Sequence, residues 1–520
     1  MNYPFKENIE LIDPQPIFTL FFKWFNLNVA PIDNQFMSIT FLAIFIMIPI
    51  TTLIIQEILF MYGMISWLAV VFSVFITFMD PQLYRIYTHA TLAYSAIFPL
   101  VWYLLLKYQL TNKRKFLVFN FLLLLFVGFM NPYYTAISVL LALMLILFNN
   151  KLPNKLIIAN VLLPLILYSI FSKILFGSNK TDMDPLPYGA FGQAYRCRPE
   201  DVFFPTEGVW NDLFNLQWIA HGSWEGTAFI SWALWIPLVW FIYVFFTRIY
   251  KKKKMTSFNP FSSIVGLFIA AIILLVFSTG LLHFIFPEWL KLSFPSFIKN
   301  FRAYGRLSWI IFLFLSFFLS LKAFQLIRIT RIKKQYFKKN MIIFAIVALY
   351  SIDVYDMNSR VMKHIEVKTW ENMDLSIAEL SKKINFDSFQ AIIALPYFHC
   401  ISGITEERGP LNGTMWPAFY LSSVSMLPIT DNYSSRSSQS IARKQIQLFT
   451  KGRSGTCNYY PNKKPFLVVT NTEGKKRIEE GSTDKADIYQ FEKQLFENCK
   501  LICSNKSYFI YSLDYNDFCQ

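Results

Sequence analysis

Charge is what this sequence has least of. Only 16% of its 520 residues are Asp, Glu, Lys or Arg, against 54% hydrophobic and 18% aromatic, and mean hydropathy is +0.38. That balance excludes an ordinary soluble domain, where about 25% of residues are charged. Between Phe36 and Ile352 the apolar runs are almost free of ionisable side chains away from their ends, which argues against ion-coupled transport. The start lacks a cleavable signal peptide, and no cysteine falls in an apolar run. The C-terminal third has no nucleophile, phosphate-loop or metal-binding motif.

What is there is a series of apolar runs, near 36–55, 64–79, 90–106, 116–130, 132–148, 156–176, 226–247, 260–282, 305–327 and 340–354. They predict an α-helical polytopic membrane protein of about ten spans. The net charge of +16 is concentrated in alternate gaps: Lys107 with Lys113 to Lys115, then Lys151 and Lys155, then Arg248 with Lys251 to Lys254, then Arg328 to Lys339. In a soluble protein that excess would point to nucleic acid; here it orients helices against the membrane potential and anionic lipids, and no nucleic-acid partner is expected. The positive-inside rule assigns those gaps to the cytoplasm and places both termini and the loop over 177–225 outside.

Cys197, Cys400, Cys457, Cys499, Cys503 and Cys519 all map to the outer side. Either disulfides form there, with a pairing the sequence does not reveal, or free thiols have scattered into polar segments. An outer N-terminus without a leader leads to a further expectation: one more span precedes Met1, and the chain begins inside the first outer loop, unless a short tail crosses unaided. Three regions follow: a first-loop segment over 1–35 whose stretch from Ile17 to Leu27 lies along the membrane surface, a bundle over 36–354, and an extracytoplasmic α/β domain over 355–520. In that last domain the strand-like runs are AIIALPYF, FLVVT and YFIYSL, separated by helical stretches near 375–385, 436–449 and 486–498.

Five segments, YPFKENIELIDPQPIFTLFFKWF, DPQLYRIYTHATLAYS, FMNPYY, WEGTAFIS and FRAYGRLSW, resemble in their order bacterial polytopic membrane glycosyltransferases of the GT-C superfamily that carry a C-terminal extracytoplasmic domain. The resemblance covers most of the membrane region. It implies a protein of the bacterial inner membrane that moves a sugar from a polyprenyl-phosphate donor, with inversion, to a glycan or lipid acceptor on the outer face. It also implies a carboxylate base in the first outer loop. The acidic residues usual just after the first span would lie before Met1.

Such a reaction needs a carboxylate to take the acceptor proton and cations to hold the leaving phosphate. Glu7, Glu10 and Asp13 are the candidate bases; Asp13 leads, because Asp-Pro-Gln-Pro makes a rigid turn, and the competing reading is a solvated acidic loop. Asp80, Arg85 and His89 form a second polar group, with helical spacing placing Arg85 and His89 on one face, or they are interfacial anchors. Arg302 and Arg306 share a face if the helix begins there, and suit a phosphate or pyrophosphate head; alternatively both snorkel. Glu225 opens a span, either complementing the helix dipole or facing a cavity. No His or carboxylate pair in the long loop has a recognised metal spacing, so a cofactor stays open, a divalent metal being the one candidate.

A transporter or flippase of a lipid-linked glycan, and a non-catalytic scaffold, are the rival readings. Asp13→Ala, or Arg302→Ala with Arg306→Ala, is expected to deplete the extracytoplasmic glycan made by a correctly inserted protein. An unchanged glycan profile would remove these residues from the chemistry.

Overall fold

The computed structural model describes residues 21, 24–25, 28–29, 36–86, 90–148, 154–176, 196–205, 208–214, 226–250, 263–279, 304–365, 376–397, 399–401, 414–430, 432–434, 444, 447–449, 457–480 and 486–519. The chain divides into two compact units, one built on Pro14–Leu175 with Pro187–Ile365 and the other containing Glu366–Gln520.

Helices of the first unit are α1 (Phe36–Met61), α2 (Ser66–Phe78), α3 (Ile97–Thr111), α4 (Lys115–Met130), α5 (Pro132–Leu147) and α6 (Asn154–Phe176). Two short ones, α7 (Pro199–Phe203) and α8 (Val209–Phe214), precede α9 (Trp235–Tyr250), α10 (Ser263–Ser278), α11 (Ser308–Ile332) and α12 (Tyr336–Ile365). Among the described residues four segments are long and apolar enough to cross a membrane: Ile39–Met61, Ser66–Arg85, Tyr304–Ile332 and Tyr336–Ser359. Shorter apolar helices accompany them, and these, such as α4 and α5 at 16 residues each, extend only about 24 Å against a hydrocarbon core of about 30 Å.

Each predicted apolar run contains a helix, with two departures. Residues 226–231 are not helical and α9 starts only at Trp235, so no span opens at 226. The last helix runs to Ile365 rather than 354, which draws Asp356 into it and sets Asp353 well inside rather than at the end.

In a bilayer, helices associate through close packing and hydrogen bonds rather than through escape from water. α11 is the centre of the unit, 83% of its most apolar window being buried against 22% for α1. Its buried Ser316 and Ser320 are one turn apart and lack bulk, as are Gly266 and Ala270 of its neighbour α10. Gly128 serves the same end: a Cβ there would lie 2.8 Å from the Tyr168 ring and 2.9 Å from the Thr135 hydroxyl. Next to it, the Asn120 amide donates to Asn160 Oδ1 at 2.8 Å and Asn160 Nδ2 donates to the Leu117 carbonyl at 2.6 Å, tying α4 to α6 through groups that cannot be left unpaired in lipid.

The second unit holds a mixed four-stranded sheet in the order β1 (Ala391–Ala394), β4 (Phe466–Asn471), β6 (Tyr508–Leu513), β5 (Lys500–Ser504), with β1 and β4 parallel and the other pairs antiparallel. The small parallel pair β2 (His399–Ile401) and β3 (Asn432–Ser434) stands apart. Both faces of the main sheet are buried, as strand alternation requires: Ile393, Phe466, Val468 and Leu513 pack into one core, Ile392, Leu467, Val469 and Ile510 into the other. The three strand-like runs in the sequence are β1, β4 and β6. The helix expected near 486–498 is α15 (Ala486–Glu497), while α13 (Met415–Ser425), α14 (Thr472–Glu480), α16 (Tyr515–Cys519) and edge strand β5 are additions. Most of the stretch at 436–449 lies outside the described residues.

Cys457 and Cys519 are joined as a disulfide, whereas Cys197, Cys499 and Cys503 are free. Burial pushes the Cys499 thiol up to about 12, helped by the Asp517 carboxylate, so it is a thiol and a poor nucleophile at neutral pH. Alkylation of unreduced protein should leave Cys457 and Cys519 unmodified. Because the bridge spans 62 residues, Cys457→Ser should destabilise this unit by about 2–4 kcal/mol, read as an earlier denaturant midpoint; full labelling of both thiols without reductant would contradict the pairing.

Candidate functional site

Asp80-Pro81-Gln82 follows the C-terminal end of α2. The Asp80 carboxylate accepts from the Gln82 backbone N–H at 2.9 Å, an Asx turn made rigid by the intervening proline, and a 3₁₀ turn over Leu83–Arg85 follows. Asp80, Gln82 and Arg85 are all buried. Arg85 ends that 3₁₀ turn, and His89, its expected partner on one helix face, lies outside the described residues. Gln82 Nε2 donates to the carbonyls of Leu92 and Tyr94 at 3.3 and 3.4 Å and to the Tyr134 hydroxyl at 3.2 Å. Two carbonyl partners fix which end of the amide faces them. Gln82 Oε1 has no hydrogen-bond partner among the described residues.

Tyr134 belongs to the segment where α4 stops and α5 begins. Asn131 leaves the helical conformation, accepts from the Tyr133 N–H at 3.1 Å and caps α5, with Pro132 at its first position, where a missing N–H costs nothing. That turn sends the Tyr134 hydroxyl to the Tyr94 N–H at 3.0 Å, and gives Tyr133 to Arg306, whose guanidinium stacks 4.1 Å from the ring centroid. Arg306 is buried in a 3₁₀ turn, Tyr304–Leu307, ahead of α11. Stacking on an aromatic face is the use of cationic charge that a guanidinium suits better than an ammonium; the headgroup-snorkelling alternative does not describe this side chain.

α12 supplies the groups that the sequence did not single out. Asp353 Oδ2 accepts from the Ser231 hydroxyl at 2.6 Å and from the Trp232 backbone N–H at 2.8 Å, and Oδ1 accepts from the Trp210 indole N–H. One turn on, Asp356 Oδ1 accepts from the Val209 N–H at 3.0 Å and so caps α8. Ser231, at φ 78°, also accepts from the Ala233 N–H, a left-handed conformation that a non-glycine residue holds only when surrounding bonds over-determine it. Phe204, Trp210, Phe229, Trp232 and Trp235 stack around this point, with centroids 5.6–6.3 Å apart. Trp210, read from the sequence as one of several outer-loop aromatics, thus has its polar edge fastened to a helix.

The same elements line one cleft. Asp353, Asp356 and Met357 of α12 face Met79, Pro81 and Tyr84 from the end of α2 and Pro205, Thr227, Ala228 and Phe229 from the outer segment. The cleft thus sets the Asp353 and Asp356 carboxylates beside the Tyr84 and Phe229 rings. Among the described residues no three His, Cys, Asp or Glu side chains come together as metal ligands, so these residues do not fit a bound divalent metal and no step is routed through one. Of the residues expected from the sequence, Asp80, Arg85 and Arg306 are described and belong to this polar region. Glu7, Glu10, Asp13, His89, Glu225 and Arg302 lie outside the described residues.

These features define a multi-pass membrane protein with a C-terminal mixed-sheet unit. A family model described as a domain of unknown function, DUF6311, matches residues 1–358, and the chain belongs to that family. No curated protein and no solved structure matches it.

Gly208, at φ 94°, has the least room: a Cβ would sit 2.1 Å from Asp356 Oδ2. Gly208→Ala should therefore break the Asp356 cap and lower thermal stability by about 1–3 kcal/mol, whereas Gly63→Ala, with open space around its Cβ position, carries only the strain of its positive φ. Equal melting temperatures for the Gly208 variant and the parent protein would contradict the described contact.

Proposed function

We propose that this protein is a GT-C-type inverting glycosyltransferase of the bacterial cytoplasmic membrane, with about ten spans and both ends of this chain extracytoplasmic. It would transfer a sugar from a polyprenyl-phosphate donor to an extracytoplasmic glycan or lipid acceptor. The observation that carries the reading is convergence. Segments far apart in sequence and singled out for their resemblance, around Asp80–Ser95, Asn131–Tyr134, Thr227–Ser231 and Tyr304–Ser308, meet in one polar region. Gln82 bonds Tyr134, Tyr133 stacks on Arg306, and Pro81, Thr227 and Asp356 share a cleft.

In this reading the cleft binds the acceptor sugar. Asp356, which lines the cleft, is a described group able to take a proton from its hydroxyl; Asp13, Glu7 and Glu10 remain the candidate bases of the first loop. Arg306, with Arg302, neutralises the phosphate that leaves. The short helices α4 and α5 fit a bundle that thins or hollows the bilayer where a lipid-borne donor must present its head. The donor sugar is read from no feature of the chain.

The rival reading, a transporter or flippase, gains from one observation. Lys322 lies within the Tyr304–Ile332 segment, its ammonium 5.3 Å from the ring centroids of both Phe241 and Phe318 and 3.2 Å from Gln325 Oε1. Intramembrane cations often mark a pathway. Proteoliposomes loaded with polyprenyl-phosphate sugar and supplied with an outer acceptor separate the two. Transfer that falls by about 10²-fold or more in Asp356→Asn at unchanged insertion supports the transferase. Translocation without transfer, abolished by Lys322→Leu, would replace it with the flippase.

A further inference from the structure

We propose that the tight turn joining α11 to α12 is a binding surface for anionic phospholipid headgroups, a role independent of the transferase chemistry. Arg328, Arg331, Lys333, Lys334, Lys338 and Lys339 crowd this turn and no acidic residue occurs between positions 328 and 339. Five of the six are exposed and Lys339 is half-buried. None of them makes an ion pair among the described residues.

Ordinary helix electrostatics accounts for part of this set only. Arg331 lies in the last turn of α11, where a cation complements the negative end of the dipole. Lys338 and Lys339 lie in the opposite setting, at the start of α12, whose first turn has no acidic residue. There the positive end of the dipole repels them; the Lys339 ammonium lies 5.9 Å from the Tyr336 ring centroid, and anions from outside the chain would stabilise both charges further. The turn is held closed by the Lys334 N–H on the Arg331 carbonyl and the Gln335 N–H on the Thr330 carbonyl, both 3.0 Å, with Lys334 at φ 57°. That closure keeps both groups of cations at one tip.

Two observations select lipid over a soluble anion or an acidic protein. Candidate membrane segments end at Ile332 and restart at Tyr336, which sets the tip at headgroup depth. Ile332, Tyr336 and Phe337 are exposed there, Phe337 at 80%, between the lysines. Apolar and aromatic side chains interleaved with cations suit the boundary of headgroup and acyl chain, where rings enter the lipid and ammonium groups meet phosphate.

Full-length protein in detergent, titrated with dioleoylphosphatidylglycerol or dioleoylphosphatidylcholine and read by native mass spectrometry, tests this directly. The parent protein should retain the anionic lipid about tenfold better, and Lys333→Gln/Lys334→Gln/Lys338→Gln/Lys339→Gln should lose that preference, while Arg at the same four positions keeps it. Should the fourfold Gln variant fail to fold, the two paired variants, Lys333→Gln/Lys334→Gln and Lys338→Gln/Lys339→Gln, should each show a partial loss. No preference in the parent, full preference in a folded Gln variant, or displacement of the lipid by inorganic phosphate would each overturn the proposal.

Discussion

A carboxylate in an apolar helix has to be hydrogen-bonded or solvated, and Asp353 is 2% exposed. Moving an ion of that size out of water costs several kcal/mol even after the surroundings relax, and the compensation here comes from three donors on the chain preceding α9. Trp210, Ser231 and Trp232 are drawn to one point, and with them the aromatic cluster and the wall of the cleft. Asp356 repeats the device one turn later on the Val209 amide. α12 is thus the post to which the outer segment is fastened, and the position of Thr227 to Phe229 opposite Pro81 follows from that fastening.

The rest of the polar region obeys the same constraint from the opposite wall. Gln82, Tyr94 and Tyr134 satisfy one another where α2, α3 and α5 end, and Arg306 finds an aromatic face at Tyr133. Buried polar networks of this sort rigidify a site when satisfied and are costly when broken. Helices too short to span about 30 Å bring these ends inward, so polar groups collect within the protein rather than against lipid.

Much of this was legible in the sequence because the governing periodicities are strong. Long apolar runs can only be helices in a membrane protein, and short, mostly apolar runs such as FLVVT and YFIYSL fit strands buried on both faces. The Asn131-Pro132 break was legible from turn chemistry alone; the Asp80-Pro81-Gln82 turn was not read, its segment being taken for helical spacing. Asp353 and Asp356 were missed because the last apolar run was ended at 354, which made them look like its solvated edge; their spacing of three residues on a helix was the available signal. The start of α9 was misplaced because the run was read as continuous from 226; residues 226–231 are held out of the helix by the backbone bonds of Ala228 and Ile230 to Asp201 and Val202 and by the bonds of Ser231 and Trp232 to Asp353. The stacking of Arg306 on Tyr133 was not legible, because it depends on a contact between residues far apart along the chain.

A double-mutant cycle between Asp353→Asn and Ser231→Ala, read by chemical denaturation of the full chain in a defined detergent, tests the central claim most directly. Fastening through a shared buried hydrogen bond predicts that the double variant is less destabilised than the sum of the singles by about 1–3 kcal/mol. Additivity within about 0.3 kcal/mol would mean that Ser231 and Asp353 do not interact, and that the outer segment is held by something other than α12.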